Sequence, residues 1–145
     1  YTKYLRMQQP IATKLELKMR GVKKILVVDD DVQIREVLTE LLSLHQMEIT
    51  AVGDGHEALK VLNQWLPDLI LCDIMMPDMD GTAFHEIIMR DEILATIPFI
   101  FLTAKSDEHL AQECTQNGAH DFVIKPFKCN ELLNLIKSKL TGLEA

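Results

Sequence analysis

Ile25-Leu26-Val27-Val28-Asp29-Asp30-Asp31 decides the fold: an unbroken apolar run that ends abruptly in acids. Continuous apolar character, rather than alternation, is what a strand needs when both faces of a parallel sheet are covered. Asp31 can then cap a helix, because its short side chain accepts from the free N–H groups of a first turn. Beyond it Ile34, Val37, Leu38, Leu41 and Leu42 recur at helical spacing, the stripe such a helix lays on a sheet.

From Gly21 onward this strand–helix alternation repeats five times. Met47–Val52 is a mixed strand, with Glu48 and Thr50 among apolar residues, which suits a sheet edge. Gly53-Asp54-Gly55 turns the chain into a helix bearing Ala58, Leu59, Leu62 and Trp65, and Pro67 leads to a strand over Leu69–Cys72. Asp80-Gly81 opens a helix running to about Arg90, and Pro98 introduces a strand over Phe99–Leu102. Ser106 can cap the fourth helix, which Asn117-Gly118 closes in the manner usual for helix C-termini. Phe122–Ile124 is the fifth strand, and Cys129–Leu140 the last helix, with Leu132, Leu133, Ile136 and Leu140 inward. Alternating strands and helices with right-handed crossovers predict an α/β fold, a doubly wound five-stranded parallel sheet with helices on both faces.

Bulk properties agree with one soluble domain of 145 residues. No apolar run approaches the roughly 20 residues of a membrane-spanning helix, and the N-terminus has no signal-peptide core. Fifteen Lys and Arg against 22 Asp and Glu leave a net charge of −7, a poor basis for binding a polyphosphate backbone. Nucleic-acid and membrane binding by this segment are therefore not expected. Cys72, Cys114 and Cys129 have no CxxC spacing, which points to reduced thiols and a cytoplasmic setting. Residues 1–20 are basic, contain Pro10 and show only patchy helical spacing. They read as a tail or linker, with 21–145 as the domain. The start without Met mildly favours a piece of a larger chain.

In a sheet of this type, sites form beyond the carboxyl ends of the strands. The first strand ends in Asp29-Asp30, the third in Asp73, the fourth in Thr103-Ala104 and the fifth in Lys125-Pro126. Any one of these residues alone is most simply a helix cap or a solvated side chain. Together they put carboxylates, a hydroxyl and an ammonium along one edge. Clustered carboxylates repel unless a cation or proton intervenes, and a few carboxylates with a carbonyl and waters suit Mg²⁺. A carboxylate can attack phosphorus as a nucleophile. Lys125 and Thr103 can then neutralise charge on the phosphoryl oxygens.

Val27-Val28-Asp29-Asp30, Asp73-Ile74-Met75-Met76-Pro77-Asp78-Met79-Asp80-Gly81, Leu102-Thr103-Ala104 and Lys125-Pro126-Phe127 resemble the motifs of two-component response regulator receiver domains. They occur in the same order, and the resemblance covers about residues 23–141. It implies a flavodoxin-like sheet of order 2-1-3-4-5. Asp73 would be the phosphoacceptor, served by a histidine kinase or a histidine phosphotransfer protein. Asp30 and Asp73 would bind Mg²⁺ by side chain, Met75 by its carbonyl and Asp29 through water. Lys125 would contact the phosphoryl group, with a cis bond to Pro126. Thr103, Ala104 and Phe122 would form the switch that alters the face of the fourth helix, fifth strand and fifth helix. Such a domain is a signalling switch that catalyses only its own phosphorylation and dephosphorylation. Met75 and Lys105 would flank the path of the hydrolytic water.

Two other readings are weaker. A haloacid-dehalogenase-type phosphatase needs a second Asp two residues after its nucleophile, whereas Asp73 is followed by Ile74 and Met75. A nucleotide- or flavin-binding module needs a Gly- or Ser-rich first loop, and this one is Asp29-Asp30-Asp31. The domain could stand alone, precede an effector in a transcription regulator or end a hybrid kinase. Glu131-Leu132-Leu133 is followed by Asn134-Leu135, without the Arg that winged-helix regulators use to pair through that face.

Overall fold

The computed structural model describes residues 21–119 and 121–141; the 1–20 segment and residues 142–145 lie outside the described residues. The strands are β1 (Lys24–Val28), β2 (Glu48–Val52), β3 (Leu69–Asp73), β4 (Phe99–Ala104) and β5 (Asp121–Lys125). The helices are α1 (Val32–Leu44), α2 (Gly55–Leu62), α3 (Gly81–Met89), α4 (Glu108–Gln116) and α5 (Cys129–Thr141). All pairings are parallel, and the sheet order is β2-β1-β3-β4-β5. The order reverses between β1 and β3, so their carboxyl ends diverge and leave a cleft there.

Alternate residues of each central strand feed two cores. Ile25, Val27, Leu69, Leu71, Ile100 and Leu102 pack with Leu38 and Leu42 of α1 and Leu132 and Ile136 of α5. Leu26, Val28, Ile70, Cys72, Phe99 and Phe101 pack with Ala58 of α2, Phe84 and Ile88 of α3 and Ala111 of α4. Burying a strand on both faces explains why Ile25–Val28 and Leu69–Cys72 carry no polar residue before the acids that follow them. β2 is only partly buried along its length, as an edge strand should be. The same holds for β5, at the other edge.

Carboxylates start three of the helices. Asp31 accepts from the N–H groups of Gln33 and Ile34, Asp54 from Glu57, and Asp80 from Ala83. The expected cap Ser106 is not one. Lys105–Asp107 forms a 3₁₀ turn instead, and α4 begins after Asp107 with no side-chain cap. The turn uses up the position from which Ser106 would have reached the helix. Val37 also departs from the expected core stripe: it is exposed, because Leu38 and Leu42 already fill the α1 contact with the sheet. Among the described residues no helix is long and apolar enough to cross a membrane.

Candidate functional site

The strand ends bring Asp29, Asp30 and Asp73 together, each offering an oxygen within 4.8 Å of the others. Asp29 and Asp73 are buried and Asp30 is exposed at the cleft mouth. Lys125, from the far edge, reaches across: its Nζ lies 2.8 Å from Asp29 Oδ2 and 3.5 Å from Asp73 Oδ2. Thr103 is fully buried, and its hydroxyl donates to the Ala104 carbonyl at 3.1 Å. Ala104 and Met75 are exposed. The Lys125–Pro126 peptide bond is cis. Phe122 is partly buried against the core on the α2–α4 side.

Asp29 is tied at every polar atom. Its N–H donates to the Val52 carbonyl at 3.0 Å. Its Oδ1 accepts from the Asp31 N–H at 2.9 Å, its Oδ2 from Lys125, and its carbonyl from Arg35 Nη1 at 2.6 Å. Below Asp73 the chain closes a ring, as the Gly81 N–H donates to the Ile74 carbonyl at 2.7 Å. A Cβ at Gly81 would land on the Asp73 carbonyl oxygen and 2.9 Å from Ile74 Cα. Within the ring Asp78 adopts φ 67°, a left-handed conformation that Asp tolerates better than most residues.

The electrostatics are under-compensated. Burial, then the charge of Asp29, pushes the Asp73 carboxyl up to about 6, although Lys125 pulls against them. Burial pulls the Lys125 ammonium down, but its bond to Asp29 and the charges of Asp29 and Asp73 more than offset that and raise it. Burial likewise raises the Cys72 thiol well above its ordinary range, leaving it a neutral donor to the Asp73 carbonyl at 3.2 Å. One ammonium cannot neutralise three carboxylates. An all-oxygen donor set of this charge and spacing fits a hard divalent cation such as Mg²⁺.

That imbalance has a measurable sign. A carboxyl raised from 3.8 to about 6 on folding holds a proton that the unfolded chain has lost, so the metal-free fold loses stability as pH rises through that window. Asp73→Asn is therefore expected to raise the metal-free melting temperature at pH 7.5. The gain is about 1–2 kcal/mol after allowing for the open cleft, and it should vanish near pH 4. Thermal melts in chelator at both pH values check this. Equal gains at both would assign the effect to packing instead.

The first, third and fifth strand ends bring Asp29, Asp30, Asp73 and Lys125 together, while Thr103 ends β4, which lies between β3 and β5 in the sheet. Arg35 and Glu57 were not anticipated. An Arg on a helix is ordinarily solvated, and nothing local marks its bond to Asp29. Glu57 had a signal, since Asp54-x-x-Glu57 is a capping-box spacing. Here the Glu57 carboxylate accepts from the Gly53 N–H at 2.9 Å.

Comparison with known proteins places this architecture. The family model described as response regulator receiver domain matches residues 25–137. The DNA-binding response regulator MtrA of Mycolicibacterium paratuberculosis is 36% identical over 118 residues, covering 81% of this chain and 51% of that protein. Hybrid signal transduction histidine kinase D of Dictyostelium discoideum is 39% identical over 121 residues, covering 83% of this chain but 8% of that protein. The chain thus spans about half the length of MtrA. Among solved structures, the signal receiver domain of a signal transduction histidine kinase from Syntrophus aciditrophicus superposes with a TM-score of 0.78 at 35% identity, covering 85% of this chain and 93% of that one. Since the match runs from the first strand into the last helix, the chain belongs to the response regulator receiver domain family.

Proposed function

We propose that Asp73 is the phosphoacceptor of this receiver and that the Asp29–Asp30–Asp73 cluster works with Mg²⁺. The observation that carries the reading is the convergence of three carboxylates and Lys125 beyond β1, β3 and β5. Asp73 belongs to that group with its side chain mostly buried but not sealed off, held in place yet open to a donor. Transfer from a phosphohistidine breaks the P–N bond and forms a P–O bond to an Asp73 carboxylate oxygen. The departing imidazole takes a proton from its own protein or solvent.

Each neighbour has a defined task. Asp30 and Asp73 offer side-chain oxygens to the cation and Met75 its carbonyl, while both Asp29 oxygens are already engaged, which supports contact through water. The bound cation supplies charge neutralisation for the phosphoryl oxygens. Lys125 adds a point charge beside Asp73, and Thr103 is the hydroxyl able to turn towards new acceptor oxygens. Its hydroxyl now rests on the Ala104 carbonyl, so turning it releases the backbone that leads into the Lys105–Asp107 turn. Phe122 can then fill the space left, and the α4–β5–α5 face changes. A histidine kinase or phosphotransfer protein is the proposed donor, the chain acting in the cytoplasm as a switch whose catalysis is confined to its own phosphoryl group. Residues 1–20 are proposed as a tail or linker to the domain.

The direct test is intact mass after incubation with Mg²⁺ and acetyl phosphate or phosphoramidate. A phosphoryl adduct is expected on wild type with metal, and none on Asp73→Asn or after chelation. Labelling of Asp73→Asn would overturn the assignment. Met75 carries a second expectation. Its exposed apolar side chain offers no hydrogen bond to orient a hydrolytic water, so the phosphoryl group should persist for many minutes. Loss of the adduct within seconds, followed by mass against time, would contradict this.

A further inference from the structure

We propose that Arg35 is a positioning residue for the cation site, an inference resting on the reading of Asp29, Asp30 and Asp73 as Mg²⁺ ligands. Arg35 Nη1 donates to the Asp29 carbonyl at 2.6 Å, a short, charge-assisted bond. That carbonyl belongs to the peptide joining Asp29 to Asp30. Its orientation sets where both carboxylates point. Asp29 is fully buried, so a carbonyl deprived of this donor would be left unsatisfied.

The surroundings are shaped for the guanidinium. Gly53 presents bare backbone to it, and a Cβ there would lie 3.4 Å from Arg35 Nη1 and 3.8 Å from Glu57 Oε2. Glu57 fixes this loop by accepting from the Gly53 N–H, while the Asp29 N–H donates to Val52 on the same side. Arg35 is half-buried and sits on α1 one turn past its Asp31 cap, so it anchors the acidic loop to a rigid helix. It also places a positive charge behind a cluster that Lys125 alone does not neutralise. Groups one step removed from metal ligands commonly set affinity tenfold or more.

Isothermal titration of Mg²⁺ into the full chain tests this with wild type, Arg35→Met and Arg35→Lys. Arg35→Met is expected to weaken Mg²⁺ about tenfold, and Arg35→Lys to recover part of the loss by reaching the same carbonyl. The rise in melting temperature that Mg²⁺ produces should shrink in the same order, and excess Mg²⁺ should restore acetyl phosphate labelling. Arg35→Met binding within twofold of wild type, with only a lower melting temperature in chelator, would make Arg35 merely structural and overturn the proposal. Should Arg35→Met not fold, Arg35→Lys decides: binding indistinguishable from wild type, with an unchanged Mg²⁺-induced melting shift, overturns it. Wild type that binds no Mg²⁺ would instead refute the cation site itself, and the role of Arg35 with it.

Discussion

Lys125→Met is expected to pull two properties of the site in opposite directions: phosphoryl transfer falls while Mg²⁺ binds more tightly. The ammonium lies 2.8 Å from Asp29 and 3.5 Å from Asp73, where it competes with a divalent cation for the same negative charge. Removing it leaves more of the cluster's negative charge uncompensated, so cation affinity should rise several-fold. It also removes the point charge beside the accepting carboxylate, and losing one such contact costs about 100-fold or more in rate. Without Lys125 the metal-free Asp73 carboxyl should titrate above 6, since Lys125 is what pulls it down. Asp29 is fully buried and would keep only its backbone donor, which costs on the order of 2–4 kcal/mol. Acetyl phosphate labelling rates and Mg²⁺ titration on one preparation check the split. A variant losing both together would mean that Lys125 only holds the fold.

Gly81→Ala is the other large effect, and Gly55→Ala is its control. Both glycines open a helix, α3 and α2 respectively. At Gly81 the new methyl meets main chain, the Asp73 carbonyl and Ile74 Cα, which cannot step aside. At Gly55 it meets the flexible Met79 side chain, with Sδ at 2.7 Å. We expect Gly81→Ala to cost about 3 kcal/mol, a fall of roughly 10 °C in melting temperature. Gly55→Ala should stay within about 1 kcal/mol of wild type, because helical Ala offsets the side-chain adjustment. Gly81→Ala should also slow labelling at temperatures where it remains folded, since the displaced carbonyl belongs to Asp73 itself. Thermal melts of the pair with circular dichroism settle the comparison.

The contrast shows which features a sequence displays. Ile25–Val28 and Leu69–Cys72 announced buried strands because both-face burial removes polar residues locally, and the acids that end them stand out against that background. Edge placement was visible for β2, through Glu48 and Thr50, but not for β5. There Phe122-Val123-Ile124 is apolar throughout yet only half-buried. Gly81 read as a helix start. Its closeness to Asp73 comes from a ring closed between Ile74 and Gly81, seven residues apart, and no pattern of residue types encodes that. Arg35 was missed for the same reason, its partner being a main-chain carbonyl. Ser106 had the right chemistry for a cap but fell inside the Lys105–Asp107 turn.

The bare start of α4 has a dynamic consequence. Three helices begin beneath a carboxylate that satisfies their first N–H groups, and α4 does not. A missing cap is worth about 1 kcal/mol, and the Lys105–Glu108 pair at 2.8 Å is too exposed to replace it. Local opening of residues 104–110 should therefore need less free energy than opening the capped ends of α1 or α3. Native-state amide exchange at the beginning of α4 should run about fivefold faster than at the starts of α1, α2 and α3. The segment joining Thr103 to the outer surface is thus less costly to rearrange than the capped starts of α1, α2 and α3.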